Sequence, residues 1–239
     1  AGGRAALASL EAAAQAVVMG ECTALVTAPL NKTAIALAGC PHPGHTEWLA
    51  EFCQCEVAMM FAADLSDKTL NVLLASIHVP LAKAIQVIDQ ALILKRLQQA
   101  QAGAHLLGYH TPRIAVAGLN PHASEQGLFG HEEAEHIVPA IASAQAQGIQ
   151  VSGPYPPDTV FMRALAGEFD LVLAMSHDQG LIPVKLLGWE RAVNITVGLP
   201  FLRVSVDHGT AYDIAGKGVA DERNLLHVLR FAERCLMRT

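Results

Sequence analysis

The sequence lacks the short motifs with which many enzymes hold nucleotides, metals or nucleophiles. No G-x-G-x-x-G follows an apolar strand, and there is no Walker A loop, no H-E-x-x-H pair and no G-x-S-x-G turn. These absences argue against a Rossmann fingerprint, a P-loop, a zincin-type protease and an α/β-hydrolase. Motif matching therefore identifies no nucleotide cofactor.

Charged and aromatic residues are also scarce, at 16% and 5% of the chain. The formal net charge is −6 and there is no basic run, which argues against nucleic-acid binding. The sequence contains no run of about eighteen apolar residues, so no membrane span is predicted. The opening helix is interrupted by Glu11 and Gln15, unlike the continuous apolar block of a signal peptide. We therefore expect neither a nucleic-acid nor a membrane partner.

The five cysteines are odd in number and lack zinc-ribbon spacing. Cys53 and Cys55 form a C-x-C pair, for which ordinary packing is the favoured interpretation and metal contact the alternative. A chain of this kind fits a reduced, cytoplasmic setting.

Hydrophobic residues make up 52% of the 239 residues, enough for a substantial core in one large domain or two lobes. Apolar runs alternate with segments of helical period, which indicates an α/β fold with a mainly parallel or mixed sheet and helices on both faces. Strands are predicted at 23–27, 57–62, 70–75, 113–117, 171–174, 192–197 and 202–206. Helices are predicted at about 4–20, 81–102, 131–147, 208–215 and 221–237, with another beginning near Thr46.

Three histidines follow apolar strands, namely His78, His122 and His177. Imidazole is a good ligand for a divalent transition metal, and three protein ligands leave a position open for substrate or water. For any one of them, a hydrogen bond within its loop is the alternative. Three histidines in equivalent positions just after strands, two of them beside Pro or Asp, favour a shared metal site.

A second set of residues suits an anion. Residues 44–47 form a loop entering a helix, where backbone N–H groups and the Thr46 hydroxyl can bind phosphate or carboxylate. Lys185, Asn194 and Arg203 add two cations and a neutral donor. The alternatives are that Thr46 caps the helix and that the cations are solvated, although Lys185 lies in an apolar segment.

The acids Asp158, Asp178 and Asp207 are also candidates. Asp178 adjoins His177 and Asp207 adjoins His208, so each could orient a histidine or hold a substrate amine. Asp158 precedes an apolar helical run, and for this residue helix capping is favoured at least as strongly as substrate binding. The residues alone thus indicate a metal-dependent enzyme acting on a small anionic substrate.

Several long motifs in the same order resemble the 4-hydroxythreonine-4-phosphate dehydrogenase family over essentially the whole chain. They are TAPLNK (27–32), GHTEWLA (44–50), GLNPHASEQGLFGHEE (118–133), GPYPPDTVF (153–161), LAMSHDQGLIPVK (173–185) and VNITVGLPFLRVSVDHGTAYDIAGKGVAD (193–221). The resemblance implies a two-lobed α/β/α fold similar to isocitrate and isopropylmalate dehydrogenases, which bind NAD without a Rossmann fingerprint. It also implies a homodimer with its active site at the subunit interface.

By this resemblance His78, His122 and His177 are metal ligands drawn from both subunits. His45, Thr46, Lys185, Asn194 and Arg203 match substrate-binding positions, and Lys185 and Asp178 are our candidates for proton transfer. The implied reaction is oxidation of 4-phosphohydroxy-L-threonine by NAD or NADP to a β-keto acid, which loses CO2 to leave 3-amino-2-oxopropyl phosphate. Zinc is the favoured metal, with magnesium, manganese and cobalt as alternatives.

Two departures from the family keep other activities open. The family's N-terminal segment has no counterpart, so we expect this chain to be the C-terminal part, roughly two-thirds, of a two-lobed subunit. Ser176 stands where the family usually has Tyr, which leaves open sister dehydrogenases acting on 4-phospho-erythronate, 4-phospho-threonate or a carboxylated dihydrodiol. Alternatives of another class are a three-histidine metal hydrolase and a non-catalytic remnant that binds metal or phosphate.

Overall fold

The computed structural model describes residues 1–65 and 67–238, whose eight strands form one mixed sheet. In sheet order the strands run β1-β8-β7-β2-β3-β6-β4-β5. Their bounds are β1 Ala24–Thr27, β2 Ala58–Asp64, β3 Thr69–Leu74, β4 Ile114–Ala117, β5 Val151–Tyr155, β6 Leu171–Ala174, β7 Ala192–Val197 and β8 Leu202–Val206.

The helices are α1 Gly2–Val18, α2 Lys32–Leu37, α3 His45–Phe52, α4 Leu81–Val87, α5 Gln90–Leu106, α6 Val138–Ala146, α7 Val160–Leu165, α8 His177–Gly188 and α9 Arg223–Leu236. A π-helical segment, Glu133–Ile137, leads into α6. Short 3-10 turns lie at Trp189–Arg191 and Tyr212–Ile214. No described helix has the length and hydropathy of a membrane span.

Helices cover both faces of the sheet, which confirms the predicted mixed α/β class. On one face α5, α6 and α9 bury side chains such as Leu97, Ile141 and Phe231 in a core with the strands. On the other face α7 and α8 contribute Phe161 and Leu181. Burying a side chain of this size contributes about 1.5–3 kcal/mol. Because both faces are covered, β3, β4 and β6 are buried along nearly their whole length and do not alternate between buried and exposed residues.

A third, smaller cluster joins α1 and α3 to the β1 edge of the sheet. Trp48 and Phe52 stack with ring centroids 5.0 Å apart, and Cys53 and Cys55 pack partly buried against the same cluster. Burial raises the pKa of both thiols, with the charge of Cys55 adding to the effect on Cys53. The packing interpretation of this C-x-C pair is therefore the one that the structure supports.

Strand direction places the segment after β1 and the segments after β3 and β6 at opposite ends of the sheet. β3, β6, β4 and β5 are mutually parallel, whereas β1 and β8 run the opposite way because three antiparallel pairings separate β8 from β3. Residues 27–32, beyond β1, therefore leave the sheet at the end opposite to His78 and His177. A ligand site that uses both sets has to lie across the face of the sheet.

Several predicted elements differ from the observed ones. The helix expected at 81–102 is two helices, because Asp89 accepts a 2.7 Å hydrogen bond from Leu92 N and caps α5 as a new helix. The helix expected at 131–147 opens with the π-helical segment before α6. The prediction of a helix at 208–215 is wrong. Only the turn Tyr212–Ile214 forms there, and the preceding Ala211 is in the left-handed region with a φ of +49°.

Residues 177–180 form the first turn of α8, which begins shortly after β6. Gly180 allows this, because a Cβ there would lie 2.5 Å from Leu74 Cδ2 and 2.9 Å from Val72 Cγ1. The helix can therefore approach β3 more closely than any larger residue would permit. The division of the subunit into two lobes, and the place of this chain as its C-terminal part, stay predictions.

Candidate active site

A cleft of about 510 Å³ lies across the sheet face at β8, β7 and β2. It brings together every residue that the resemblance implied for substrate binding and two of the three predicted metal ligands. These residues are His45, Thr46, His78, His177, Lys185, Asn194 and Arg203. Asp207, a candidate acid from the sequence, lines it as well. So do Lys32, Glu47 and Ser205, which were not selected as site residues from the sequence.

Arg203, on β8, is a buried cation at the base of the cleft. It is 2% exposed, and its guanidinium donates to Thr196 Oγ1 at 2.9 Å and to Thr27 Oγ1 at 2.6 Å. Its Nε has no hydrogen-bond partner among the described residues. Burial lowers the pKa of Arg203 to about 10, against the opposing charge of Glu47. The solvated-cation interpretation is therefore wrong for Arg203, which is suited to an anion entering the cleft.

The first turn of α3 forms one wall of the cleft. Its N-cap is Gly44, which supplies no side-chain cap, so the interpretation of Thr46 as N-cap is wrong. Uncapped N–H groups at this end of the helix suit an anion. Burial, with a smaller contribution from the charge of Arg203, lowers the pKa of His45 to about 4. His45 is therefore neutral at pH 7 and acts as a hydrogen-bonding group rather than as a cation.

Asn194, on β7, places a polar amide in the middle of the cleft. Its Oδ1 is buried and has no hydrogen-bond partner among the described residues. A buried acceptor without a donor is costly.

Lys185 and Asp207 form an ion pair, with Nζ and Oδ2 3.2 Å apart. Lys185 is on α8 and Asp207 directly follows β8, so the pair joins two elements across the cleft. The hypothesis that Asp207 orients His208 is wrong, because Nδ1 of His208 contacts the carbonyl oxygen of Gly209 at 2.9 Å. The position of Asp207 at a strand end was the sequence signal for a site residue.

His78 and His177 follow the neighbouring parallel strands β3 and β6, and their ring centroids are 5.6 Å apart. Nδ1 of His177 lies 2.7 Å from Asp178 Oδ1, which leaves Nε2 as its free ring nitrogen. Asp178 thus orients His177, one of the roles predicted for it. Asp178 is itself well exposed and lines an adjoining cleft rather than this one.

His122 lies apart, on a left-handed turn at Pro121–Gly127. Residues 122–126 all have φ between +43° and +66°, a conformation that costs L-residues roughly 1–2 kcal/mol each. The ring of His122 faces Phe129, with centroids 6.2 Å apart. Within the described part of one chain, no three His, Cys, Asp or Glu side chains come together as a metal site. Two of the three predicted ligands meet in one chain and the third does not.

Asp158 also lies away from the cleft. It is exposed in the turn before α7 and is not among the residues that line the cleft. The capping alternative for Asp158 is wrong, because the N-cap of α7 is Thr159, without a side-chain cap. Within one chain Asp158 does not reach the cleft, and its role in substrate binding stays a prediction.

A second cleft, of about 740 Å³, adjoins the first at one end. The two share Pro29, Asp207, His208 and Gly209. The rest of the second cleft is formed mainly by the glycine-rich loop at 210–221 and the start of α9. Backbone atoms and small side chains dominate this loop, so an extended ligand can approach it closely.

Comparison with known proteins places this arrangement in a family. The sequence matches the family described as "Pyridoxal phosphate biosynthetic protein PdxA" over residues 1–232. A 4-hydroxythreonine-4-phosphate dehydrogenase from Beijerinckia indica is 50% identical, with 99% of this chain and 72% of the relative aligned. A D-threonate 4-phosphate dehydrogenase from Cupriavidus necator is 52% identical, over 87% of this chain and 62% of the relative.

A crystal structure of 4-hydroxythreonine-4-phosphate dehydrogenase from Klebsiella pneumoniae superposes with a TM-score of 0.90 at 44% identity. The match covers 98% of this chain and 70% of that one. The chain thus spans between 62% and 72% of the lengths of these three proteins. Sequence and fold agree along nearly all of its residues, and the chain belongs to the PdxA family of pyridoxal phosphate biosynthetic proteins.

Proposed function

We propose that the protein, with a divalent metal and NAD or NADP, oxidises 4-phosphohydroxy-L-threonine. The observation that carries this proposal is Arg203, a buried guanidinium beside the uncapped first turn of α3. A substrate with a phosphate and a carboxylate offers anionic groups to this guanidinium and to the N–H groups of α3. The two relatives named above are both dehydrogenases of small phosphorylated hydroxy acids.

Each polar group of the cleft suits a part of that substrate. Arg203 and the N–H groups of α3 bind oxyanions, and neutral His45 donates a hydrogen bond to one of them. Asn194, which lines the cleft, hydrogen-bonds through its side chain to the substrate hydroxyl. Several fixed contacts hold the reacting carbon in one orientation, which is the main requirement for hydride transfer.

The donor set fits a divalent metal in part. His78 and His177 would hold it, with the third imidazole supplied by His122 of the partner subunit. Three imidazoles suit zinc best. Bound there, the metal supplies Lewis acidity, which lowers the pKa of a neighbouring alcohol and stabilises negative charge that develops during reaction.

Lys185 is the residue we assign to proton transfer. Oxidation of the alcohol, with the nicotinamide as hydride acceptor, would also release a proton to a base, and the resulting β-keto acid would take up a proton on carbon after it loses CO2. Lys185 Nζ lies in the cleft, 3.2 Å from Asp207 Oδ2. In its neutral form Lys185 would accept the proton of the alcohol, and the ammonium so formed would return a proton to the carbon that loses CO2. Asp178, the other candidate, is hydrogen-bonded to His177 and lines the neighbouring cleft.

The cleft of about 740 Å³ is the proposed nicotinamide cofactor site. A hydride acceptor has to contact the substrate, and this cleft meets the substrate cleft at Asp207, His208 and Gly209. The glycine-rich loop leaves room for a dinucleotide along the backbone. NAD and NADP both fit this proposal.

We also propose a homodimer in a cytoplasmic setting. Large apolar side chains are exposed on the segments that carry or follow the three histidines, as is typical of a surface that packs against a partner. They are Val79 (42%), Leu81 (67%), Leu128 (73%), Phe129 (46%), Ile182 (58%) and Leu186 (82%). Light scattering should give twice the subunit mass; a monomer at assay concentration would contradict the shared site.

Oxidation of the substrate of a sister dehydrogenase is the second candidate function. Ser176 adjoins His177, and a relative 52% identical to this chain is named for D-threonate 4-phosphate. The smaller side chain leaves more room beside the proposed metal than the Tyr that is usual in the family. Comparing kcat/KM for 4-phosphohydroxy-L-threonine, D-threonate 4-phosphate and 4-phospho-erythronate decides between them.

The first experiment measures NADH or NADPH formation by the full-length protein with each substrate, before and after chelation and metal add-back. We expect turnover that is lost on chelation and restored by zinc or another divalent ion. Turnover without a nicotinamide would favour the hydrolase. Ligand-induced stabilisation without any turnover would favour the non-catalytic remnant.

A further inference from the structure

A buried carboxylate lies beneath the turn that carries His122, and the proposed reaction makes no use of it. Glu133, on the π-helical segment, is 2% exposed. Its Oε1 accepts hydrogen bonds from the backbone N–H of Leu119 at 2.9 Å and of Asn120 at 2.7 Å. Its Oε2 accepts a third from Asn120 Nδ2 at 2.9 Å. Glu133 thus fixes the two residues that lead into the Pro121–Gly127 turn.

That turn needs external support. Left-handed L-residues persist only where the surrounding structure over-determines them, and here five occur in succession. Within the turn, Ala123 N donates to Asn120 O at 3.1 Å and Phe129 N donates to Ser124 O at 3.1 Å. At Gly118 a Cβ would lie 2.8 Å from Ala123 Cα and 3.3 Å from Glu133 Oε1. The carboxylate, the glycine and the turn are therefore packed as one unit.

The same unit is joined to the strands that carry the other two histidines. Gln179 Nε2 donates to the carbonyl oxygen of Gly118 at 2.8 Å, and Gln179 Oε1 accepts from Met175 N at 2.7 Å. Ser76 Oγ donates to the carbonyl oxygen of Met175 at 2.8 Å. These bonds connect the ends of β4, β6 and β3, and Glu133 lies at the His122 end of the chain of contacts. π-Helical segments such as the one holding Glu133 are often found at functional sites.

We propose that Glu133 is a positioning residue for His122. By binding the N–H groups of Leu119 and Asn120 it holds the left-handed turn, and the turn sets the direction in which His122 presents its imidazole. Glu133 touches neither substrate nor metal and acts through the backbone. This inference rests on the proposed function, because it takes His122 as a metal ligand.

The test compares Glu133→Gln with Glu135→Gln, an exposed acid on the same segment. In E133Q one acceptor becomes an amide NH2, which cannot accept from the N–H donors around it. We expect zinc affinity, measured by competition with a chelator, to fall about tenfold, the lower end for groups that support metal ligands. Amide exchange at 118–130 should accelerate, and the visible spectrum of the cobalt(II)-loaded protein should change at saturating metal. E135Q should match wild type in all three.

His122→Ala separates failure of this inference from failure of the proposed function. If H122A leaves zinc affinity unchanged, the proposed metal site is wrong. If H122A weakens zinc binding while E133Q keeps wild-type affinity, spectrum and exchange, the metal site stands and the role of Glu133 is overturned. Should E133Q fail to fold, Glu133→Asp replaces it, and wild-type affinity and spectrum in E133D would overturn the role equally.

Discussion

Nη2 of Arg203 on β8 lies 2.6 Å from Oγ1 of Thr27 at the end of β1. This bond ties the guanidinium to the neighbouring parallel strand and helps direct it into the cleft. Thr27→Val keeps the shape of the side chain but leaves a buried donor unsatisfied, which costs about 1–3 kcal/mol. We expect KM to rise about tenfold or more, with a smaller change in kcat. Steady-state kinetics check this, with the exposed Thr159→Val as the control.

Substitutions of Lys185 and Asp207 should lower kcat, whereas substitutions that weaken anion binding should mainly raise KM. Lys185→Met removes the group assigned to proton transfer, and kcat should fall by about 10²–10⁴. Asp207→Asn leaves Lys185 in place but less well held, so kcat should fall less than in K185M. KM should change little. Wild-type kcat in K185M would remove Lys185 from the chemistry.

His45 should make stability depend on pH in a defined range. Its pKa falls from 6.5 to about 4 on folding, because of burial first and Arg203 second. Between these values the unfolded chain binds a proton that the folded chain does not. The stabilisation that neutral His45 gives the folded state is therefore fully present above pH 6.5. It decreases as the pH falls toward 4, and His45 causes no further loss below that.

His45→Asn removes this contribution. Wild type should lose on the order of 1–2 kcal/mol relative to H45N between pH 7 and pH 5. Urea unfolding at several pH values measures the difference, with the exposed His110→Asn as the control. Parallel pH dependence in wild type and H45N would show that His45 titrates normally.

Gly180 should be intolerant of even one methyl group. An alanine Cβ would lie 2.5 Å from Leu74 Cδ2, so α8 would have to move away from β3. Overpacking of this kind costs about 1–3 kcal/mol, and the movement would also displace His177 and Lys185. Gly180→Ala should lower the thermal midpoint and the activity together.

Gly2→Ala is the matched control for Gly180→Ala. Gly2 is helical too, and nothing lies within 4 Å of the position that its Cβ would take. Alanine should leave stability there unchanged or slightly increased. Equal effects of G180A and G2A would contradict the close approach of α8 to the sheet.

Many elements and site residues were accessible from the sequence because they depend on local chemistry. β7 and β8 were predicted at their observed bounds, since each is a short apolar run between turn residues. Lys185, Asn194 and Arg203 were selected for their residue chemistry and again by resemblance, His45 was selected by resemblance, and all four line one cleft. The break between α4 and α5 was missed, although Asp89 carried the capping signal for it.

The sequence by itself determined the α/β class, the burial of the central strands and the residue types available for anion and metal binding. Periodicity, hydropathy and motif order are local properties, and they need no knowledge of strand direction. Only the tertiary structure decided that β1 and β8 run opposite to β3 and β6, so the cleft crosses the face of the sheet instead of its edge. It also decided that Asp207 pairs with Lys185 and that Glu133 supports the turn of His122, because these contacts join residues far apart in the chain whose meeting depends on packing.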